Sequence, residues 1–295
     1  MYSKEKYLPP NYRYVMKLLF EKIRLALLKR TKAAPQKSYA AWLSKGYNDQ
    51  PEVSVIIQSH NKSLQVCHIL PKLRQYGNIE IIVIDDGSSM EHTVRLTKEL
   101  TGANEFLLRA NDLYENRTYD KAIRLSNGKY IALLQDDDDF KDTKWIDEAI
   151  GYFQKYPKMV ILGGKWALRI KYDDAEKWMH GAYLKTDGKT FAFVPAVNRA
   201  PMWLRRDLFD QHLHHIDFRF APFQYDDDEL CLRAWLSGLQ VGWYDAHFES
   251  LSAGGMRIWN NDFSKEQMER NGKLLYQLYA GKVETVTDLV AACNG

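Results

Sequence analysis

The sequence is poor in the features that mark secreted, disulfide-bonded or membrane-spanning proteins. Its 295 residues include only three cysteines, Cys67, Cys231 and Cys293, which lie far apart and form no CxxC pair. This sparse set argues against a disulfide framework or a zinc knuckle and favours a reducing compartment. No run of about 18 apolar residues is present, so we expect no membrane span, and no cleavable signal is evident.

A strong charge of one sign is also missing. The formal net charge is +3, from 41 lysines and arginines against 38 aspartates and glutamates, so a nucleic-acid partner is not indicated. With 45% hydrophobic and 27% charged residues, the composition is that of a globular protein with ample material for a core. The length fits one large domain or a domain with appendages. We expect a cytoplasmic protein.

The first 50 residues differ from the remainder. Residues 14–28 carry apolar side chains at helical spacing, and basic side chains decorate and follow this segment up to residue 32. A basic amphipathic helix of this kind can lie peripherally on the inner face of a membrane, attracted by anionic lipid. The alternative is a helix that packs on the main domain or on a partner, with its lysines solvated. Residues 35–51 are predicted to be a linker.

From residue 52 onwards, short apolar runs alternate with amphipathic segments. The runs at 53–57, 80–84, 105–108 and 130–134 are predicted to be strands, with helices between them. Near-continuous apolar runs are typical of parallel strands buried on both faces. The pattern therefore predicts an α/β fold with a Rossmann-like, mostly parallel sheet flanked by helices and right-handed crossovers.

The second half is less periodic. Residues 159–170 are predicted to form one strand interrupted at a Gly-Gly pair, and residues 171–198 a hairpin or loop excursion. A helix is predicted at 228–236, a strand at 241–244 and a helix at 264–279. In the last of these, Ser264 and Gln267 occupy the positions of a capping box.

The most informative motif is the run of four aspartates at 136–139, directly after the predicted strand at 130–134. Adjacent carboxylates repel and raise one another's pKa unless something neutralises them. A divalent cation is the usual answer, because Mg²⁺ and Mn²⁺ are held by one or two carboxylates plus substrate phosphates. The run therefore predicts a cation site where open α/β sheets bind ligands. An acidic loop that merely caps the next helix is the alternative.

Three other features follow predicted strands or begin a helix. Asp85 and Asp86 end the strand at 80–84, residues 226–229 are all acidic, and His247 follows the strand at 241–244. Because the ends of parallel strands meet at one edge of a sheet, these groups can share a pocket. Aspartate is also a good helix N-cap, which would explain one or two of the acidic groups but not all of them.

With these motifs in this order, the chain resembles the inverting GT-A glycosyltransferases of family 2. The resemblance spans about residues 51–255 and rests on six segments: VSVIIQSHN (53–61), VIDDGS (83–88), NGKYI (127–131), QDDDD (135–139), WLRRDLF (203–209) and DDDELCLRAW (226–235). It implies a GT-A domain at 51–258, with a nucleotide-binding half at 51–140 and an acceptor-binding half at 141–258. Residues 1–50 and 259–295 would be helical appendages.

The resemblance implies a nucleotide-sugar donor, UDP-sugar foremost, together with Mn²⁺ or Mg²⁺. Asp136 and Asp138 match the D-x-D motif that holds the metal against the pyrophosphate, and His247 aligns with a further metal contact. Asp86 or Asp85 would accept the N3–H of uracil in a charge-assisted hydrogen bond. The implied donor-binding residues are Gln58, Ser59, His60, Asn61, Asp85, Asp86, Arg117, Asp136 and Asp137.

The same resemblance assigns the acceptor side. Asp227 matches the family's catalytic acid and would be the base that takes the acceptor's proton, with Asp226 as the fallback. A helix N-terminus and the nearby Arg233 would keep that base ionised. Aromatic and guanidinium groups suit an acceptor sugar or phosphate, and the implied acceptor-binding residues are Trp203, Arg205 and Arg206.

The acceptor class implied is a carbohydrate or a lipid-linked carbohydrate, in surface polysaccharide or glycolipid synthesis. Two other interpretations stay open. A sugar nucleotidyltransferase shares the α/β sheet and the acidic metal site, although residues 58–61 lack the glycine-rich loop expected after its first strand. A catalytically inactive scaffold of the same fold is the second. The segment at 252–257 is predicted to be either a flexible lid or a plain glycine turn.

Overall fold

The computed structural model describes residues 46–251 and 261–295, together with positions 16, 19, 20, 22 and 23. The chain divides into two compact units, Met1–Tyr47 and Asn48–Gly295. The predicted lid at 252–257, most of the predicted linker and most of the basic helix predicted at 14–28 lie outside the described residues, and the five positions described within that helix are helical. Within the part that is described, no helix has both the length and the apolar character to cross a membrane.

A sheet of eight strands forms the centre of the second unit. Its strands are β1 (Val53–Ser59), β2 (Ile79–Asp86), β3 (Glu105–Ala110), β4 (Tyr130–Gln135), β6 (Met159–Gly163), β9 (Phe191–Phe193), β11 (Met202–Arg205) and β12 (Gln240–Tyr244). They lie in the order β3-β2-β1-β4-β11-β6-β12-β9. Strands β1 to β4, β6 and β12 all run the same way, whereas β11 and β9 run antiparallel to their neighbours.

Five short strands lie outside this sheet. They are β5 (Asp138–Asp139), β7 (Ala167–Asp173), β8 (Trp178–Tyr183), β10 (Ala196–Val197) and β13 (Glu249–Ser250). Strands β10, β7 and β8 form a three-stranded antiparallel sheet, and β5 pairs with β13.

Helices cover both faces of the central sheet. They are α1 (Ser63–Leu73), α2 (Met90–Glu99), α3 (Tyr114–Leu125), α4 (Lys144–Lys155), α5 (Asp226–Leu236), α6 (Asp262–Tyr279) and α7 (Val283–Asn294). Helices α1, α2 and α4 contribute to one core, and α3, α5, α6 and α7 to the other. The strands are apolar throughout because side chains from both of their faces are buried. The predicted α/β fold is confirmed.

The strand predicted at 159–170 is two strands. Strand β6 ends at Gly163 in the central sheet, and β7 begins at Ala167 in the three-stranded sheet. A Cβ built on Gly163 would stand 2.4 Å from the Cβ of Val197, so the glycine allows β10 to pack directly on the strand end. The prediction of a single interrupted strand was therefore wrong, although the glycine pair does mark the break.

The starts of α3 and α6 are each fixed by a side chain that precedes the helix. Helix α3 begins at Tyr114, because the Asp86 carboxylate accepts hydrogen bonds from the amides of Leu113 (2.9 Å) and Tyr114 (2.8 Å). The predicted capping box of α6 is wrong. Asn261 caps that helix by accepting from the Ser264 amide at 2.7 Å, and Gln267 donates to the Ala221 carbonyl at 3.1 Å.

Candidate active site at the carboxyl edge of the sheet

The end of β1 ties the neighbouring strand ends together. His60 donates its amide to Asp136 Oδ2 at 2.9 Å, and its ring Nδ1 lies 2.8 Å from the Asp86 carbonyl oxygen. Asn61 donates its amide to Ser88 Oγ at 2.8 Å, and Gln58 Nε2 donates to Asp86 Oδ2 at 3.2 Å. The register of β1 with β2 and β4 explains why these groups meet, since Ser59 lies beside Asp85 and Gln58 beside Gln135.

The two aspartates at the end of β2 have different surroundings. Asp85 is buried and accepts from the Ser88 amide at 3.2 Å and from Thr93 Oγ1 at 2.5 Å, so it orders the turn into α2. Asp86 is equally buried and holds the first turn of α3. Of the two, Asp86 lies beside Gln58 and His60, the other residues predicted to contact the base.

The acidic run at 136–139 is neutralised by lysines. Lys62 Nζ lies 3.4 Å from Asp136 Oδ1 and 3.7 Å from Asp137 Oδ2. Lys165 Nζ lies 3.9 Å from Asp138 Oδ1, which is beyond hydrogen-bonding distance. Neither lysine belonged to the site predicted from the sequence. Lys62 directly follows the first strand end, which is the one signal that pointed to it.

Burial makes Asp136 and Asp138 reluctant to ionise. Desolvation raises the pKa of Asp136, and it raises the pKa of Asp138 to about 7, against the opposing effects of the Gln135 amide and Lys165. Asp138 Oδ1 is buried without a hydrogen-bond partner. A buried carboxylate with an unsatisfied oxygen, beside a second carboxylate, is a donor set that Mg²⁺ or Mn²⁺ accepts when substrate phosphates complete the coordination. Asp136 and Asp138 therefore fit the implied metal.

His247 does not join these two aspartates. Its side chain is 83% exposed and its Nδ1 lies 3.2 Å from Asp245 Oδ1. Over the described ranges 46–251 and 261–295, no three His, Cys, Asp or Glu side chains are grouped to hold a metal ion. The predicted three-ligand set of Asp136, Asp138 and His247 is therefore not assembled in this structure, because the left-handed residue His247 (φ 53°) turns towards solvent after β12.

The second acidic run begins α5, and its members have separate tasks. Asp226 is fully buried, and its Oδ2 pairs with Arg199 Nη2 at 2.5 Å and accepts from Asn116 Nδ2 at 3.1 Å. Asp228 is buried and accepts from the Gly181 amide at 2.7 Å. Asp227 lies between them, partly exposed, and accepts from the Asp228 amide. Asp226 is thus unsuitable as the fallback base, because it is inaccessible and paired with arginine.

Arg199, rather than Arg233, is the cation beside the candidate base. Arg233 pairs with Glu229 at 2.9 Å and donates to the Leu213 and His215 carbonyls. Burial raises the pKa of Asp227, Arg199 opposes that shift, and the charge of Asp226 adds to it. The result is a carboxyl group that binds a proton more readily than an ordinary aspartate, as a general base requires.

The loop before α5 is held in an unusual backbone conformation. Gln224 (φ 76°) and Tyr225 (φ 63°) are both left-handed, which costs free energy for residues with side chains. Asn271 of α6 stabilises this loop, because its Nδ2 donates to the carbonyls of Phe223 and Gln224 at 2.9 Å. Helix α6 therefore helps to fix the position from which Asp227 is presented.

The three predicted acceptor-binding residues lie elsewhere. Trp203 is fully buried, and its indole Nε1 donates to the Tyr244 hydroxyl in the core. Arg205 pairs with Asp207 at 2.9 Å, and Arg206 donates to the Gly128 carbonyl. Strand β11 is antiparallel to β4, with Arg205 opposite Tyr130, so both arginines lie at the amino edge of the sheet, away from the acids. All three assignments were wrong.

Arg117 is exposed on α3, with its guanidinium carbon 5.7 Å from the centre of the Phe218 ring. Nothing in this arrangement assigns it a ligand, and its phosphate contact stays a prediction.

Comparison with known proteins identifies the family. Residues 54–217 match the profile of Glycosyl transferase family 2, which is more than half of the chain. An uncharacterized glycosyltransferase of Haemophilus influenzae is 22% identical over 188 residues, covering 58% of this chain and 57% of its own. An uncharacterized protein of Sinorhizobium fredii, y4gI, is 25% identical over 248 residues, covering 73% of this chain but 26% of its own.

Solved structures share the fold. The mannosyltransferase PcManGT of Pyrobaculum calidifontis, in complex with GDP-Man and Mn²⁺, is similar with a TM-score of 0.51 and 14% identity, over 92% of this chain and 86% of its own. Residues 1–349 of TarS from S. aureus, in complex with UDP-GlcNAc, give a TM-score of 0.55 and 13% identity, over 82% of this chain and 71% of theirs.

The chain belongs to glycosyl transferase family 2 and has the GT-A fold. This family is one of nucleotide-sugar transferases. The chain spans about half of the Haemophilus relative and about a quarter of the Sinorhizobium relative.

Proposed function

We propose that this protein is a metal-dependent, inverting glycosyltransferase that moves a sugar from a UDP-sugar to a hydroxyl of a carbohydrate or lipid-linked acceptor. The observation that carries the proposal is that the two acidic runs differ in their positions and in their burial. Asp136 and Asp138 lie at the end of β4 beside the nucleotide-side residues, whereas Asp227 alone among the first three acids of α5 is only partly buried.

The donor would lie over the ends of β1, β2 and β4. Gln58, His60 and Asp86 form a connected polar group that suits the edge of a uracil ring. Asp136 and Asp138 would hold Mn²⁺ or Mg²⁺, which when bound neutralises the diphosphate and stabilises the charge that develops on the leaving UDP. PcManGT in complex with GDP-Man and Mn²⁺ supports the class of donor and the use of a metal, although it does not select the nucleotide.

The acceptor hydroxyl would approach Asp227. As the sugar–phosphate bond breaks, the Asp227 carboxylate takes the hydroxyl proton, and the oxygen attacks the anomeric carbon from the face opposite the leaving group, which inverts its configuration. The buried Arg199–Asp226 pair fixes the first turn of α5 and keeps a positive charge near Asp227. The setting in surface polysaccharide or glycolipid synthesis is part of this proposal.

A ligand panel tests the donor side first. UDP, GDP, CDP and dTDP are each added with Mn²⁺, Mg²⁺ or EDTA, and the midpoint of thermal unfolding is measured, because a ligand that binds the native state raises apparent stability. We expect a metal-dependent rise with UDP. The same rise with GDP or dTDP instead would change the donor, and no rise with any nucleotide would favour an inactive scaffold.

Turnover then tests the reaction. UDP-sugars are incubated with the enzyme, Mn²⁺ and simple glycoside acceptors, and the product is analysed by proton NMR. An anomeric configuration opposite to that of the donor is expected. Retention of configuration would contradict the inverting mechanism, and release of pyrophosphate from UTP with a sugar phosphate would indicate a nucleotidyltransferase.

A further inference from the structure

A cavity of about 620 Å³ opens at the ends of β6 and β12, further along the same edge of the sheet. Of the residues that the resemblance assigned to the site, His247 belongs to its walls, whereas the donor-binding residues and the acids of α5 do not. Its volume lies within the range of small-ligand sites, about 300–1,000 Å³. The cavity is therefore large enough for one or two sugar rings.

Aromatic rings form much of the wall. Trp166 is 52% exposed and Tyr183 is 60% exposed, and both rings line the cavity. Tyr152 and Trp243 also line the cavity. Large aromatic side chains normally avoid this much exposure, and in a cavity they offer flat apolar faces beside polar edges. A sugar ring, with C–H faces and hydroxyl edges, is complementary to such a surface.

The charges around the cavity argue for an uncharged ligand. The two lysines of the lining, Lys165 and Lys189, are matched in number by two carboxylates, Glu148 and Asp245. Lys165 is already engaged, since its ammonium donates to Ser250 Oγ at 2.7 Å. A site for a phosphate or an acidic polymer would show a surplus of cations, ideally arginine. A neutral polyhydroxyl compound fits the lining better.

Residues of the cavity wall lie next in sequence to residues that contact Asp228, the neighbour of the candidate base, and Asp138, a candidate metal ligand. Tyr183 follows Gly181 by two residues on the same face of β8, about 7 Å away along the strand. The Gly181 amide is the one that holds Asp228, the neighbour of Asp227. On the other side, Trp166 directly follows Lys165, whose ammonium lies 3.9 Å from Asp138 Oδ1. The cavity thus borders the elements that position the base and the metal ligands.

We propose that this cavity is a subsite for an uncharged sugar residue of the acceptor, remote from the hydroxyl that reacts. The proposal rests on the glycosyltransferase function above and adds that the acceptor is an oligosaccharide rather than a single sugar. Binding energy from the remote ring would place the reactive hydroxyl at Asp227, so the loss of Trp166 or Tyr183 affects acceptor binding and leaves the donor untouched.

The test uses neutral mono- and tetrasaccharides built from glucose, galactose or mannose, and it measures their binding to the full chain by saturation-transfer NMR and calorimetry. The variants are Trp166→Ala and Tyr183→Ala. Tyr172→Ala is the matched control, because Tyr172 is 46% exposed on the same hairpin but lies outside the cavity wall. Thermal unfolding verifies that each variant folds.

We expect at least one tetrasaccharide to bind, its affinity to fall at least tenfold in Trp166→Ala and Tyr183→Ala, and Tyr172→Ala to match the unmodified chain. UDP binding with Mn²⁺ should be the same in all four proteins. Absence of tetrasaccharide binding, or equal loss in Tyr172→Ala, would overturn the subsite. Failure of the unmodified chain to bind UDP with Mn²⁺ would instead refute the proposed function.

Discussion

The two acidic runs of this protein lie at the same edge of one sheet, yet they are stabilised differently. At 136–138 the counter-charges are lysines, Lys62 and Lys165, at 3.4–3.9 Å from the carboxylates; the fourth aspartate, Asp139, instead has a close pair with Lys72 at 2.5 Å. At the start of α5 they are arginines in close pairs, Arg199 with Asp226 at 2.5 Å and Arg233 with Glu229 at 2.9 Å.

Because of this difference, a metal cation can replace the counter-charge of the first run but not that of the second. A lysine ammonium beyond hydrogen-bonding distance is a point charge that a small, hard cation can displace. An arginine fork that is buried and bonded to its carboxylate stays in place, because removing either partner leaves an uncompensated charge. The first run therefore suits a site that exchanges cations. The second run suits a rigid helix start that holds one partly exposed carboxylate, Asp227, in position.

The sharpest test of the comparison is Asp227→Asn. We expect kcat to fall about 1,000-fold, because loss of a general base costs roughly 10²–10⁴ in rate. UDP affinity in the presence of Mn²⁺ should be unchanged, as Asp227 lies with the acceptor elements. Asp207→Asn, which alters an exposed carboxylate at the opposite edge, is the control. Equal loss of UDP binding and turnover in Asp227→Asn would contradict the division between the two runs.

The variant Arg199→Met tests whether the buried arginine pair of the second run stabilises the fold. Removing one partner of a buried ion pair destabilises a protein by about 3–5 kcal/mol, and we expect this decrease in the free energy of unfolding by urea. Arg219→Met is the control, because the Arg219 side chain is 58% exposed although its partner Asp217 is buried, so we expect a smaller decrease. The double variant Arg199→Met/Asp226→Leu should recover part of the loss; a further decrease would show that the pair is not the cause.

The pH dependence of Mn²⁺ binding tests whether Asp138 of the first run must be ionised to hold the metal. The pKa of Asp138 is about 7 in the folded protein, because burial disfavours its charge, and about 3.9 in an unfolded chain. Between these values the folded state holds the extra proton, so Asp138 lowers stability as pH rises through this window. A metal needs the ionised form, so Mn²⁺ affinity should rise roughly tenfold from pH 6 to pH 8. In Asp138→Asn the slope should vanish, and a slope that persists would point to another group.

The smallest expected effect concerns Lys62. If its ammonium occupies the place of a cation, Lys62→Met should strengthen Mn²⁺ binding in the absence of nucleotide by roughly threefold, since opposing positive charge is removed. Lys72→Met serves as the control, because Lys72 pairs with Asp139, which is not a proposed ligand. The binding constant is measured by calorimetry at low ionic strength. Weaker Mn²⁺ binding in Lys62→Met would mean that the lysine supports the site rather than competing for it.

The positions of the acids were predictable where they depend on the local sequence. Asp136, Asp138 and Asp86 directly follow apolar strands, and Asp227 begins a helix, so position along the chain implied position at the sheet edge. The wrong acceptor-side assignments share one cause. Trp203 and Arg205 lie on β11 and Arg206 directly follows it; β11 is antiparallel to β4, and strand direction is decided by tertiary pairing.

By itself, the sequence determined the alternation of strands and helices, the α/β class and the placing of the acids at strand ends. These follow from apolar periodicity and from the chemistry of neighbouring residues. Only the tertiary structure decided which acid stays accessible and which cation meets it. Arg199 reaches Asp226 across 27 residues, and Asp86 caps a helix 27 residues further on. Burial and long-range pairing set those relations, and no local pattern encodes them.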